Sequence, residues 1–290
     1  MFESGKSLCM INLNHFPLIK FFSLLALACL LSACGGSDGF PPVVTGVKVQ
    51  QAMYGKTATF YIGGKNLRSN LNLFTSDACA NPTFASNSST DTLVLNCMVA
   101  KTGDFPLVVQ TFDGVVIYNS TLNIPMPQVV LFTSKGSIIV ELNPTIAPLS
   151  VNNFLSYVSN GFYRNTLFHR VIPNFVVQGG GYTTGMVRKT GQSETIELET
   201  NKGLSNTRGS LAMARTYLAN SATSEFYINV IDNPILDYKN PSNLGYAVFG
   251  KVIQGLEVMD AIAVEPTGVV GGLSDVPLTD ITISLALQIK

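Results

Sequence analysis

Basic residues are in no surplus here: 18 Lys and Arg stand against 18 Asp and Glu in 290 residues, and only 12% of the chain is charged. Nothing in that balance favours nucleic acid as a partner. Histidine occurs twice and cysteine five times, too sparse for a small disulfide scaffold and poor material for a metal site. Long hydrophobic runs are missing beyond the N-terminus, because Gly, Pro and Asn cut the rest into short stretches, so a polytopic membrane protein is excluded. Tryptophan is absent altogether. What is present is 46% hydrophobic residues, enough at this length to bury a sizeable core, which excludes wholesale disorder and leads us to expect two domains.

Residues 1–33 read as an export signal. Lys20 supplies a positive flank, and Phe21 to Ala33 form a 13-residue apolar segment too short to span a bilayer comfortably. The segment ends in Leu31-Ser32-Ala33-Cys34-Gly35, which resembles the bacterial lipobox. That resemblance implies cleavage before Cys34, acylation of Cys34 and a lipidated linker over 34–42, whose Gly35-Gly36-Ser37-Asp38-Gly39 and Pro41-Pro42 have linker composition. Acyl chains contribute about 0.8 kcal/mol per buried CH₂, so the expectation is a protein held on a membrane of the cell envelope, not spanning it, and facing the periplasm. Gly35, where a retention signal would place Asp, favours the outer over the inner membrane. Cys9 and Cys29 leave with the signal, and Cys79 and Cys97 remain in an oxidising compartment, either as one disulfide or as two separate buried thiols. His15 leaves too, so His169 stands alone and no metal is expected.

Residues 43–125 alternate short β-rich runs with turn residues: Val43 to Val49, Thr57 to Ile62, Leu71 to Phe74, Thr92 to Asn96, Phe105 to Thr111 and Val115 to Leu122. This spacing predicts a small antiparallel sandwich, and the stretch from Gly55 to Leu67 loosely resembles immunoglobulin-like domains. No set of catalytic residue types accompanies it, so the expected role is spacer or partner-binding module.

From Pro127 to Lys290 the pattern changes. Val129 to Phe132 and Ser137 to Leu142 read as a hairpin, and Ala147 to Asn160 places Pro148 in a first turn with Val151, Phe154, Leu155 and Val158 on one helical face. Further strands are expected at Phe175 to Gln178, Ser210 to Ala214, Phe226 to Val230, Ala247 to Val252 and Ile281 to Leu287, with a second helix at Leu256 to Ile262. About eight strands and two helices predict a closed barrel with helical plugs, a mainly β chain overall.

Four strings then carry a specific resemblance: FHRVIPNFVVQGGG from Phe168, NTRGSLAMAR from Asn206, SATSEFYINV from Ser221 and GYAVFGKVIQGLEVMD from Gly245. In this order they closely resemble cyclophilin peptidyl-prolyl cis-trans isomerases of the bacterial exported form, over essentially all of residues 127–290. The resemblance implies an eight-stranded closed barrel with two helices and a substrate groove on its outer surface. By motif matching Arg170 is the catalytic arginine, and Gln178 would hold substrate carbonyl or amide groups. Phe175, Val176, Tyr227 and Leu236 would line the proline pocket, with Glu225 and Tyr246 beside them and the Ala214 backbone pairing with an extended peptide. Glu225 stands where the family usually has Gln, close enough to Arg170, on this reading, to orient the guanidinium or draw it away. Tyr227 replaces a usual Phe and would add a hydroxyl at the pocket; Ile235 and Tyr246 stand where eukaryotic members carry Trp and His. His169 reads as a packed, hydrogen-bonded core residue, and the Gly179 to Gly181 run as close backbone packing, since it lacks the Gly-Lys-Ser/Thr ending of a phosphate loop.

The chemistry follows from the bond. An X–Pro amide turns slowly because about 18–20 kcal/mol of resonance and strain must be overcome, while no covalent bond changes. No nucleophile, metal or cofactor is required. A donor aimed at the prolyl nitrogen as it pyramidalises and a dry pocket for the ring suffice, and a permanently charged guanidinium suits the first task. The expected activity is isomerisation of proline-containing polypeptides during folding in the envelope, by a monomer. The leading alternative is a peptide-binding chaperone or assembly module whose groove turns over weakly. A third makes the sandwich the working part and the barrel its tether.

Overall fold

The computed structural model describes residues 40–68 and 70–290. The export signal, Cys34 and the first part of the linker lie outside the described residues. The N-terminal strands follow a period of two: along β2 (Thr57–Lys65) Ala58, Phe60 and Ile62 are buried while their neighbours are not. With β1 (Val43–Gln50), β4 (Cys79–Phe84) and β5 (Thr92–Val99), this strand forms a four-stranded antiparallel sheet in the order β1-β2-β5-β4. A second sheet holds β3 (Asn72–Phe74), β6 (Gly103–Gln110) and β7 (Val116–Ile124). Phe60, Leu95 and Cys97 of the first meet Leu107 and Leu122 of the second in one apolar cluster, so the two sheets face each other.

One strand of this region escaped the sequence pattern. β4 contains Asn81-Pro82, which reads as a turn. Pro82 is tolerated because β4 is an edge strand with no outer neighbour needing its N–H, and Asn81, at φ 52°, sits where the pairing with β5 shifts register. Cys79 begins this edge and is bonded to Cys97 of β5, with Cα atoms 5.5 Å apart. A link across 18 positions removes roughly 3 kcal/mol of loop entropy from the unfolded chain.

Eight strands close the barrel in the order β10-β11-β15-β14-β16-β9-β8-β19. In chain order they are β8 (Gln128–Thr133), β9 (Gly136–Leu142), β10 (Thr166–Ile172), β11 (Val176–Gly179), β14 (Ser210–Met213), β15 (Phe226–Asn229), β16 (Val248–Gln254) and β19 (Thr282–Gln288). Two small hairpins interrupt the series: β12 (Tyr182–Thr183) with β13 (Val187–Arg188), and β17 (Thr267–Val270) with β18 (Leu273–Pro277). Helices α1 (Pro148–Ser159) and α2 (Leu256–Ala263) bury their apolar faces against it. The barrel strand with no expectation behind it is β10. Thr166, Leu167, Phe168 and His169 are all buried, so apolar-polar alternation, the usual strand signal, is missing there.

Residues 40–290 form one compact unit, and the loop carrying Tyr54 and Lys56 bonds to the barrel domain. Tyr54 joins the barrel's core cluster and its hydroxyl donates to Asn152 Oδ1 at 2.9 Å. Gln288 Nε2 donates to the Tyr54 carbonyl at 3.0 Å, and Lys56 Nζ to Ser159 Oγ at 2.8 Å.

Helix α1 begins without a cap of its own. Ala147 offers no side-chain acceptor, and the first turn carries no acidic residue. Glu199 takes over from 49 positions away: its carboxylate accepts from the Ser150 N–H at 2.7 Å, the Ser150 hydroxyl at 2.8 Å and the Leu149 N–H at 3.1 Å while only 4% exposed. Removing it strands two buried donors. We expect Glu199→Ala to cost about 2–3 kcal/mol in a denaturant melt. A loss under about 0.5 kcal/mol would show that water replaces the carboxylate freely.

Candidate functional site

Strand register assembles the central row of the site. Arg170 pairs with Gln178, Gln178 with Tyr227 and Tyr227 with Ala212, so these four lie in a row across β10, β11, β15 and β14 on the outer face of the barrel. The neighbouring row, Val171, Val177, Ile228 and Leu211, points into the core. A bulge between Phe168 and Arg170 inserts His169 as an extra residue, which lets Phe168 and Val171 both face inward while Arg170 turns out.

Beside this row Val176, Ala212, Tyr227 and Val248 form a buried apolar floor, with Phe175, Ala214, Leu236 and Tyr246 packed at its edge. The floor opens into a cavity of about 200 Å³ lined by every expected groove residue except Glu225, and by one residue that sequence did not single out, Arg215. Leu236 reaches it from a short 3-10 helix, Pro234–Leu236, whose end is tied down by the Tyr246 N–H donating to the Leu236 carbonyl at 2.9 Å. Gly245, at φ +63°, permits that tie: a Cβ there would stand 2.5 Å from the Asp237 carbonyl carbon. Ile235 is 65% exposed at the rim. The Ala214 N–H already donates to the Glu225 carbonyl at 3.0 Å, so a peptide can pair only with the Ala214 C=O.

Two expectations need correction. Glu225 does not line the apolar cavity, and among the described residues it forms no ion pair with Arg170. It lies behind Gln178, in an adjoining depression of about 300 Å³ that Arg170 and Gln178 also line, together with His169, Tyr182 and Asp275. Its Oε2 accepts from Gln178 Nε2 at 2.9 Å and faces His169 Nε2 at 3.2 Å, and Gly181 makes the room, since a Cβ there would fall 2.6 Å from the carboxyl carbon. Nor does Tyr227 bring a hydroxyl to the groove. That hydroxyl donates inward to Asn206 Oδ1 at 2.7 Å, and burial, first among its causes, raises its pKa far above the ordinary tyrosine range. Only the ring faces the cavity.

The Glu225 position fixes the next residue in line. A carboxylate can only accept, so it holds the NH₂ end of the Gln178 amide and forces the oxygen toward Arg170, whose NH1 donates to it at 3.3 Å. The Arg170 guanidinium, which can only donate, demands the same orientation, so the amide is fixed from both sides. On the guanidinium's other side Nε faces Asp275 Oδ2 of β18 at 3.8 Å, a partner supplied by a hairpin 105 positions along the chain. His169 is buried, its ring 4.7 Å from that of Tyr182, and its Nδ1 has no partner among the described residues.

Burial pushes the Glu225 carboxyl up, but the His169 hydrogen bond and charge, the Gln178 amide and the Arg188 cation together outweigh it and leave the group below its ordinary value of 4.5. A lowered carboxyl contributes stability that is complete above the ordinary carboxylate range and disappears as pH falls through the folded value. The stability gap between wild type and Glu225→Gln should therefore be widest near neutrality and narrow on acidification from pH ~5 to ~3. Paired urea melts across that range test it, and a gap constant with pH would mean the carboxylate charge contributes nothing.

A second layer, Asn206, Asn229, Asn233 and Asp237, was not visible as function in the sequence, where Asn reads as turn punctuation. Asn206 Nδ2 donates to Asp237 Oδ1 at 2.8 Å, Asn229 Nδ2 to Asn206 Oδ1 at 3.1 Å, and Asn233 Nδ2 to the Phe175 carbonyl at 2.9 Å. These bonds hold the backbone of Phe175 and the turn that presents Leu236. No lining side chain of the groove is a nucleophile paired with a base, and among the described residues no three His, Cys, Asp or Glu converge as metal ligands. What the cavity offers is fixed N–H donors above an apolar floor.

The sequence model of the family described as cyclophilin type peptidyl-prolyl cis-trans isomerase/CLD matches residues 128–286. A peptidyl-prolyl cis-trans isomerase of Acinetobacter baylyi is 51% identical over 158 residues, covering 54% of this chain and 82% of that protein. Peptidyl-prolyl cis-trans isomerase B of Escherichia coli is 46% identical over 157 residues, covering 53% of this chain and 95% of the other. Among solved structures, a Cryptosporidium parvum cyclophilin type peptidyl-prolyl cis-trans isomerase, solved in the presence of the dipeptide Ala-Pro, is 28% identical with a TM-score of 0.48, covering 56% of this chain and 99% of that one.

Proposed function

The chain belongs to the cyclophilin-type peptidyl-prolyl cis-trans isomerases, and from that premise we propose that Arg170 performs the isomerisation on proline-containing segments of exported polypeptides, at the surface of an envelope membrane. The proline ring rests on Phe175, Val176 and Leu236, away from water. As the X–Pro bond twists, the imide nitrogen loses conjugation and gains a lone pair, and the guanidinium donates to it. The planar amide has no such lone pair, so the interaction strengthens at the transition state and lowers the barrier. Gln178 accepts from Arg170 NH1 and so aims the remaining N–H donors. No proton is transferred at any step, and the Tyr227 hydroxyl and His169 stay outside the chemistry.

The observation that carries this reading is the guanidinium held between Gln178 and Asp275 at the wall of an apolar cavity. Membrane attachment is supported by Leu31-Ser32-Ala33-Cys34 and the linker behind it. Refolding of a protein limited by a slow X–Pro bond provides the test. The purified chain should raise the rate of the slow phase in proportion to its concentration and leave the final yield unchanged. Raised yield at an unchanged rate would favour the chaperone alternative, and mass spectrometry of the purified N-terminus reads the acylation of Cys34.

A further inference from the structure

Arg215 shares the groove with Arg170 but is held differently. Its Nε–H donates to the Gly245 carbonyl at 3.0 Å, NH1 donates to the Thr216 carbonyl at 2.9 Å, and the guanidinium carbon lies 4.7 Å from the centre of the Tyr246 ring. Two backbone carbonyls and a ring face fix its direction without neutralising it. Among the described residues no carboxylate lies within ion-pair distance of Arg215, whereas Arg170 has Asp275 and Arg208 has Asp260.

The acids nearest the groove are otherwise engaged. Asp237 Oδ1 accepts twice from Asn206, and Glu225 is held by Gln178 and His169. The cavity is therefore lined by two guanidiniums and no carboxylate. Of the five N–H donors of Arg215, two are taken, which leaves three on a half-buried cation already fixed in place, so little side-chain entropy is lost when a ligand binds it. A carboxylate matches those donors in charge and in fork geometry; an amide or an ammonium does not.

We propose that Arg215 is a specificity-determining residue that makes this groove prefer polypeptides carrying Asp or Glu beside the proline. The inference rests on the isomerase reading of the same groove, and the test separates the two. Peptides with Glu, Gln or Lys placed immediately before or immediately after proline are compared by kcat/KM for the whole protein and for Arg215→Gln. At one of the two positions the wild type should favour Glu over Gln by about tenfold, with Lys poorest. Raising the salt should shrink the preference, and Arg215→Gln should bring the Glu-to-Gln ratio close to one. Arg215→Lys, which keeps the charge but not the fork, should retain part of the ratio and stands in if Arg215→Gln fails to fold. Turnover of the Gln peptides with a Glu-to-Gln ratio of one at both positions would overturn the specificity and leave the isomerase intact. A ratio unchanged in Arg215→Gln would overturn it too. Turnover of no peptide would instead strike the isomerase reading, and the affinity ratio of the same peptides, from a fluorescence titration, would then decide the role of Arg215.

Discussion

Arg170→Ala will lower kcat/KM for X–Pro isomerisation by about 10²–10³-fold while barely moving the melting temperature. The size follows from what a single preorganised donor contributes to a transition state in a water-poor site. The stability side follows from placement. The Arg170 side chain is 38% exposed, its ion pair with Asp275 spans 3.8 Å between two partly solvated groups, and such pairs contribute little to folding. Arg170→Lys separates charge from geometry: the ammonium keeps the charge but cannot bond Gln178 and face the substrate in the same fixed fork, so activity should fall by an intermediate factor, nearer Ala than wild type. A protease-coupled assay on an X–Pro peptide, with a thermal melt of each variant, measures both quantities. Equal kcat/KM for Arg170→Ala and wild type would remove the mechanism and leave the fold untouched.

Gln178 and Glu225 belong to the same result. If the carboxylate matters by fixing the Gln178 amide, Glu225→Gln should lower kcat and leave KM nearly alone, since residue 225 lies outside the lining of the groove. In the variant the donor-only Arg170 guanidinium still holds the Gln178 oxygen, so the effect is smaller than that of Arg170→Ala.

What could be read from the chain depended on whether a residue's role was local. Strands with one wet face, such as β2 with Ala58, Phe60 and Ile62, announce themselves through alternation, and the apolar face of α1 through its helical spacing. β10 does not, because the barrel core covers one side and the β17–β18 hairpin the other, and a strand buried on both sides has no period to detect. The groove residues were placed by their resemblance to a family. Their orientation was not, because it depends on pairs distant in sequence. Tyr227 turns its hydroxyl to Asn206, Glu225 turns to His169 and Gln178, and Asp275 arrives beside Arg170 from near the C-terminus. Arg215 passes as a surface cation until Gly245 and Tyr246 are brought against it.

The largest loss of stability should come from Phe154→Ala. Phe154 is fully buried at the centre of the plug that α1 drives into the barrel, with ring centroids 5.2 Å from Tyr163, 5.4 Å from Phe226 and 5.4 Å from Phe249. Deleting a ring there removes its transfer free energy and leaves a cavity that three rigid aromatics cannot refill, a combined cost of about 3–5 kcal/mol. In a chain of this size that lowers the melting temperature by roughly 10 °C. Phe154→Leu keeps most of the volume and should cost about half as much or less. The groove is coupled to this plug through β15, where Phe226 packs edge-on against Phe154 while its neighbours Glu225 and Tyr227 serve the outer face. The paired hydrogen bonds of β11 with β15 and of β15 with β14 hold that strand in register whatever lies beneath it. At 25 °C, well below the lowered melting point, kcat/KM of Phe154→Ala should therefore stay within a few-fold of wild type even as urea resistance collapses. A destabilisation under about 1 kcal/mol would mean that the core closes over the missing ring. A hundredfold loss of activity with the fold intact would mean instead that the packing of Phe226, and not strand register, sets the line of Arg170, Gln178 and Tyr227.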